Sequence, residues 1–192
     1  MSVRCFIAIE LPEDIRDLLS EIGDAVRAAD DRWAGEKWEP QENLHVTLKF
    51  VGHIAEEGVE TLVAACMHET AGLAGFELVP DSVRAVPSPA RARMLWGSFA
   101  DPGGGCAALA AAAERAALGV GAEPETRTFK PHVTLVRART PHGIAADALD
   151  LGNDLLEGFP GGVSVSAVTV FRSTLSKSGP TYTPLAICPL EG

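Results

Sequence analysis

The four-residue sequence His-Val-Thr-Leu occurs twice in this chain, at residues 45–48 and again at residues 132–135. Each copy lies in a run typical of a β-strand, over residues 44–51 in the first case and 132–136 in the second. Side chains two residues apart lie on the same face of a strand. In each copy the histidine and the threonine therefore share a polar face, and the valine and the leucine face the core.

A single His-x-Thr strand would say little, because half-exposed strands often carry threonine and a lone histidine there is usually only solvated. Short motifs also match by chance. Two copies in one chain instead indicate an internal duplication that places the two strands opposite each other. His45 with Thr47, and His132 with Thr134, are therefore the first candidate functional residues.

Length and charge limit the classes of function. The chain has 192 residues, which corresponds to one domain or to two small lobes that share a core, so residues 1–192 are treated as one unit. A net charge of −10 and a pI of about 4.9 argue against an extended nucleic-acid surface. They still allow a small anionic ligand in a local pocket of Arg, His and hydroxyl groups.

The cysteines and the apolar runs predict a cytoplasmic protein without a membrane segment. Cys5, Cys66, Cys106 and Cys188 form no CxxC pair, which favours reduced, mostly buried thiols over a metal or redox site. The first apolar run is too short for a signal peptide, and no later run approaches the length of a membrane span.

The remaining pattern predicts an α+β fold. Apolar spacing predicts a helix that starts at Pro12 and extends to Val26, and further helices over residues 56–71 and 106–118. Further strands are predicted over residues 3–9, 76–86, 93–99, 163–171 and 182–188. Residues 30–36 are predicted to form a polar loop, and residues 141–162 a weakly helical or looped stretch. Hairpin-length links join several strands, which favours antiparallel sheets over a doubly wound parallel sheet.

The residues around both motifs extend the pattern over most of the chain. They lie in four stretches, at 6–12, 38–52, 127–137 and 171–182. With these flanks the chain resembles the 2H phosphoesterases, named for two His-x-Thr motifs, and among them the RNA 2′,3′-cyclic phosphodiesterases, also called 2′-5′ RNA ligases. The resemblance implies a bilobal fold with two pseudo-symmetric lobes. Each lobe would have an antiparallel sheet backed by helices, with the active site in the central cleft.

The resemblance also implies roles for the paired residues. His45 would act as the general acid towards the ribose O3′ and His132 as the general base on water, which leaves a 2′-phosphate. One neutral and one protonated imidazole suit this reaction near neutral pH. The hydroxyls of Thr47 and Thr134 would donate to the non-bridging phosphate oxygens. The residues themselves leave open which histidine is the acid, and the chemistry requires no metal or cofactor.

Two residues that follow the motifs would bind the base. Phe50 and Arg137 each stand five residues after a motif histidine, and in the family these positions flank the nucleobase. Core packing is the alternative for Phe50. Lys49 and Arg139 are candidates for RNA backbone contacts, with a solvated surface position as the alternative.

Three readings of function are open at this point. The first is a metal-independent phosphodiesterase on RNA 2′,3′-cyclic phosphate ends, with reversible 2′-5′ ligation as a second activity, in which the histidines exchange roles between the two directions of the reaction. The second is a cyclic phosphodiesterase on a small nucleotide, and the third a non-catalytic module that binds RNA ends or nucleotides. Binding alone does not need a paired acid and base, which favours an enzyme. The partner is then an RNA end or nucleotide with a cyclic phosphate, and a monomer is expected.

Overall fold

The computed structural model describes residues 2–177 and 179–192, and within these ranges the chain forms nine strands and five helices. The strands are β1 (Ser2–Glu10), β2 (Lys37–Trp38), β3 (His45–Ala55), β4 (Phe76–Val86), β5 (Ala92–Ala100), β6 (His132–His142), β7 (Val163–Val165), β8 (Ala167–Ser176) and β9 (Gly179–Pro189). The helices are α1 (Glu13–Ala29), α2 (Asp31–Ala34), α3 (Gly58–Thr70), α4 (Gly105–Leu118) and α5 (Ala146–Glu157).

The strands form two antiparallel sheets, which confirms the predicted α+β class. Over the described ranges, the first sheet has the order β3-β1-β8-β9 and the second the order β2-β6-β5-β4-β7. Helices α3 and α4 pack on the first sheet, and α1 and α5 pack on the second. Each motif strand belongs to a different sheet. β3 is an edge strand, and β6 is covered on its outer side only by the two-residue strand β2.

The chain passes repeatedly from one sheet to the other. Helix α1 follows β1 of the first sheet but packs on the second, and α4 follows β5 of the second sheet but packs on β3 of the first. The approach of α1 is close at Gly97 of β5, where an added Cβ would lie 2.8 Å from Cδ2 of Leu19. A single buried apolar cluster therefore includes Ile7 of the first sheet and Leu95 of the second.

The prediction of a loop over residues 30–36 was wrong, and the stretch 141–162, predicted to be weakly helical or looped, is more regular than expected. Residues 30–36 contain the short helix α2 instead of a loop alone, because the Asp30 side chain caps it by accepting from the Arg32 backbone N–H at 3.1 Å. Trp33 of this helix is fully buried and donates from Nε1 to the Gly143 carbonyl at 3.2 Å. The stretch 141–162 contains the well-formed helix α5.

Several boundaries also differ. Strand β3 continues past Gly52, which adopts a φ of +85° that only glycine accepts easily, to Ala55. Strand β6 extends six residues beyond the predicted end at Val136, because β5 continues to pair with it as far as His142. The predicted strand over 163–171 is two strands, β7 and β8, which belong to different sheets.

Other expectations are confirmed. The predicted apolar face of α1 is buried, and all four cysteines are buried and free. Among the residues the structure describes, no helix has both the length and the apolar character needed to cross a membrane.

Candidate active site

A β-bulge at the fourth residue of the first motif gives β3 its functional face. Along β1, Ala8 pairs with Thr47 and the preceding Ile7 pairs with Lys49, so Leu48 is an extra residue. The extra residue reverses the alternation of side chains beyond it. Lys49 therefore turns inward, although regular alternation would place it beside Thr47.

The second motif repeats this bulge at its own fourth residue. Along β5, Trp96 pairs with Thr134 and Leu95 pairs with Val136, so Leu135 is the extra residue. The two motif strands also share one burial sequence over six residues: half-buried, buried, half-buried, buried, buried and exposed. The two copies of the motif therefore share the β-bulge as well as the sequence.

The bulges turn the fifth residue after each histidine to the histidine's own face. Phe50 is 58% exposed, so the alternative of core packing for this residue is wrong. Arg137 takes the matching position on β6, and its side chain is 50% exposed. In a regular strand both residues would lie on the opposite face from the histidine and threonine.

All six predicted site residues line one cleft of about 710 Å³ between the two sheets. They are His45, Thr47, Phe50, His132, Thr134 and Arg137. The cleft is large enough for a nucleotide, since small-ligand sites span roughly 300–1,000 Å³.

Both histidines are held by the same backbone contact. Nδ1 of His45 lies 2.7 Å from the Asn43 carbonyl oxygen, and Nδ1 of His132 lies 2.7 Å from the Lys130 carbonyl oxygen. A carbonyl oxygen only accepts, so each Nδ1 carries a hydrogen and donates it. Nε2 is then the nitrogen of each ring that gains or loses a proton. Nε2 of His45 lies 2.9 Å from the Thr47 hydroxyl.

Aromatic rings surround the two imidazoles differently. His45 packs against Phe6 with centroids 4.9 Å apart, and edge-on against Tyr182 at 5.3 Å. His132 stacks on Trp96 with centroids 3.8 Å apart and planes 25° apart. Burial lowers the pKa of both histidines, and the nearby Arg137 guanidinium lowers both further.

Lys49 lines the cleft but is not the solvated surface residue of the alternative prediction, because the bulge at Leu48 directs it away from solvent. Its side chain is 5% exposed, and Nζ lies 2.6 Å from Oε2 of Glu114 on α4. Nζ also donates to the Glu123 carbonyl at 2.6 Å. Arg139 is exposed and lies outside the cleft, in agreement with the alternative of a solvated surface position.

The segment 122–131, which we call the strap, runs along the cleft and leads into His132. Glu114 and Lys49 fix its first part, since Glu114 Oε1 accepts from the Glu125 backbone N–H at 3.0 Å. Its last part supplies the Lys130 carbonyl that holds the His132 ring. The sequence indicated only a connection here, because hydrogen bonds to a loop backbone leave no periodic pattern.

Glu39 is a cleft residue that sequence reasoning missed. The preceding Trp38 packs against the protein, with Nε1 donating to the Trp33 carbonyl at 2.9 Å and the Arg27 guanidinium 4.8 Å above its ring. The backbone N–H of Glu39 donates to the Leu135 carbonyl at 2.8 Å, and its side chain enters the cleft with 14% exposure. Burial raises the pKa of Glu39, and Arg137 opposes this effect.

The other histidines do not line the cleft. His53 and His68 are exposed, and His142 lies 3.2 Å from Glu36. Within residues 2–177 and 179–192, no group of three or more His, Cys, Asp or Glu side chains is arranged to hold a metal ion.

Two imidazoles and two hydroxyls that face one cleft from separate antiparallel sheets are the arrangement of the two-histidine phosphoesterases. The chain belongs to the LigT-like phosphoesterase family, whose model matches residues 9–96 and 100–182. The predicted family is therefore confirmed, and with it the class of enzyme.

Curated relatives and solved structures agree with this assignment. A Methanothermobacter thermautotrophicus protein named RNA 2′,3′-cyclic phosphodiesterase is 31% identical over 188 residues, which cover 97% of this chain and 98% of the relative. An Escherichia coli protein of the same name is 27% identical and is covered to 93%, with 95% of this chain aligned. The crystal structure of E. coli LigT complexed with 3′-AMP has a TM-score of 0.78 at 25% identity, and covers all of both chains.

Proposed function

We propose that this protein hydrolyses the 2′,3′-cyclic phosphate at RNA ends to a 2′-phosphomonoester by acid-base catalysis with two histidines. One observation carries the proposal: two imidazoles in the same cleft have Nδ1 fixed by a backbone carbonyl, so that Nε2 of each is the proton-exchanging atom. The names of the curated relatives support the substrate.

The proposed reaction exchanges two protons. Neutral His132 accepts a proton at Nε2 from water as the water oxygen bonds to phosphorus. Protonated His45 donates its Nε2 proton to O3′ as the P–O3′ bond breaks, which leaves the phosphate on O2′. The Thr47 and Thr134 hydroxyls donate to the non-bridging oxygens, where negative charge accumulates. A second turnover requires the two histidines to exchange a proton with solvent.

The same groups account for 2′-5′ ligation. An RNA 5′-hydroxyl takes the place of water as nucleophile, and the product is a 2′-5′ phosphodiester. In the reverse step, cleavage of that linkage, the two histidines exchange roles. This activity needs no further residue, and the proposal therefore includes it.

The partner we propose is an RNA end or a nucleotide with a cyclic phosphate, bound by one bilobal unit of residues 1–192 acting as a cytoplasmic monomer. Cations in the cleft are partly neutralised, since Lys49 contacts Glu114 and Arg127 contacts Glu125 at 2.7 Å. With a net charge of −10, this favours contact with the terminal nucleotide over an extended nucleic-acid surface.

The test is phosphorus NMR of an oligonucleotide with a 2′,3′-cyclic phosphate end, in EDTA. We expect conversion to a 2′-phosphate by the wild type and loss of conversion in His45→Ala and His132→Ala. Binding of the oligonucleotide without conversion would favour the binding-module alternative. Conversion of cyclic mononucleotides but not of the oligonucleotide would favour the small-nucleotide alternative.

The pH dependence follows from the lowered pKa values. The general acid must be protonated and the general base neutral, so kcat/KM should follow a bell-shaped curve that reports the free enzyme. Burial lowers the pKa of both His45 and His132, so both limbs should lie below about 6.5, the ordinary value for histidine. We expect kcat/KM to fall between pH 6.5 and 8. A plateau up to pH 8 would contradict the assigned acid.

Removing the Phe50 ring should weaken substrate binding more than it affects the chemical step. Base-aromatic stacking contributes about 1–3 kcal/mol, so Phe50→Ala should raise KM by about 5- to 150-fold with a smaller change in kcat. Urea unfolding should show little change, because the ring is 58% exposed. Ile187→Ala is the matched control, since Ile187 is also 58% exposed but lies outside the cleft. An unchanged KM in Phe50→Ala would remove Phe50 from the base site.

A further inference from the structure

Glu39 is a carboxylate in the cleft whose hydrogen-bonding capacity is unused. Oε2 is buried and has no hydrogen-bond partner among residues 2–177 and 179–192. Oε1 lies 3.9 Å from Nε of Arg137, which is beyond hydrogen-bond distance. Leaving a charged buried acceptor without a partner is costly. A turn about the last side-chain torsion of Glu39, which is soft, presents both oxygens to the cleft, where a ligand can supply the donors.

The chemistry of the proposed substrate limits where that donor comes from. A cyclic phosphate has only acceptors, and both hydroxyls of the terminal ribose are esterified in it. The nucleobase therefore offers the donors of the terminal nucleotide. Arg137 is proposed to stack on this base. Oε1 of Glu39 lies 3.9 Å from Nε of Arg137, so a base stacked on the guanidinium plane has a polar edge beside the Glu39 carboxylate.

We propose that Glu39 reads the Watson–Crick edge of the terminal base and selects guanine; this inference rests on the proposed function. An ionised carboxylate has two acceptors and no donor. Guanine presents N1–H and N2–H side by side, which match the two oxygens in a bidentate pair. Adenine and cytosine place a ring nitrogen acceptor beside the amino group, and uracil places carbonyl oxygens on both sides of its N3–H.

The alternative role for Glu39 is to orient Arg137 as an ion-pair partner. That role would affect all four bases alike, because stacking on a guanidinium plane does not distinguish them strongly. Base selectivity therefore separates the two roles. Glu39→Gln is the informative variant, because its carboxamide combines one acceptor with one donor group and so matches the edges of adenine and cytosine.

The experiment measures kcat/KM for the four nucleoside 2′,3′-cyclic phosphates with wild type, Glu39→Gln and Glu42→Gln. The wild type should prefer guanosine over uridine and adenosine by about 5- to 150-fold, the discrimination of one bidentate base contact. Glu39→Gln should lose this preference and shift the ratios towards adenosine and cytidine. Glu42→Gln removes the same charge from an exposed residue of the same segment, outside the cleft, and should keep the wild-type ratios.

Equal kcat/KM values for the four substrates, or an equal loss for all four in Glu39→Gln, would overturn the inference and leave the proposed function standing. Turnover by the wild type of none of these substrates, and not of the oligonucleotide with a cyclic phosphate end either, would instead contradict the proposed function. Calorimetry with guanosine and adenosine 2′-phosphates then tests Glu39 separately, and equal Kd values would overturn the inference. If Glu39→Gln does not fold, Glu39→Asp, which shortens the carboxylate, should lower the guanosine preference.

Discussion

Replacing His132 by alanine should lower kcat for 2′,3′-cyclic phosphate hydrolysis by about 10²- to 10⁴-fold, the usual contribution of a positioned acid or base. His45→Ala should cause a loss of similar size. The loss should fall mainly on kcat, because the threonine hydroxyls and the side chains that we propose to bind the base remain in place. Rapid-quench measurement of a single turnover separates the chemical step from product release.

The double variant should lose little more than either single variant. In the proposed mechanism the two histidines act in one concerted transfer, and the effects of residues that act as a unit are not additive. His132→Gln tests whether a polar side chain at this position is enough, because glutamine keeps a polar group but removes the stack on Trp96. His53→Ala is the control, since His53 is exposed on the same strand as His45 and lies outside the cleft. More than a tenth of the wild-type kcat in His132→Ala would contradict its role as base.

The second large effect concerns stability and the buried pair of Lys49 and Glu114. Glu114→Gln should lower the free energy of unfolding by about 3 kcal/mol, because it leaves an ammonium group without a counter-charge in a side chain that is only 5% exposed. Lys49→Met should cost less, about 1–2 kcal/mol. In that variant the Glu114 carboxylate, whose side chain is 24% exposed, stays partly hydrated and keeps the Glu125 N–H.

Urea unfolding of the two single variants and the double variant forms a double-mutant cycle. The double variant should be less destabilised than the sum of the singles, because neither charge is then left alone. Arg84→Ala is the comparison for an exposed pair, since Arg84 and Asp81 are 60% and 40% exposed, and it should cost less than about 1 kcal/mol. Additive losses in the cycle would show that the pair does not act as a unit.

The sequence predicted the antiparallel strands because polar and apolar residues alternate locally along them. It predicted the paired motifs because the repeat is visible within one chain. Alternation along the strand did not indicate which way Lys49 and Phe50 face, and only the family resemblance placed Phe50 in the cleft. Regular alternation places Lys49 beside Thr47 and Phe50 in the core, and the bulge at Leu48 reverses both. A bulge is a property of the register between two strands, and that register is set by β1, about forty residues away.

The same reason explains the other cleft residues that were missed. Trp96 contacts His132 because β5 pairs with β6 in one register, and nothing local to Trp96 indicates this. Glu39 reaches the cleft because its backbone N–H donates to the carbonyl of Leu135, the bulged residue of the second motif.

The short helix α2 was missed for a different reason: it has only four residues, too few for a periodic pattern.

The passage of the chain from sheet to sheet has a consequence for how the cleft works. No cut at one point of the backbone separates the sheets, because residues before Gly104 contribute to both and residues after it complete both. The two walls of the cleft are therefore joined by several crossings of the chain, so any movement of one sheet relative to the other must bend all of these crossings together.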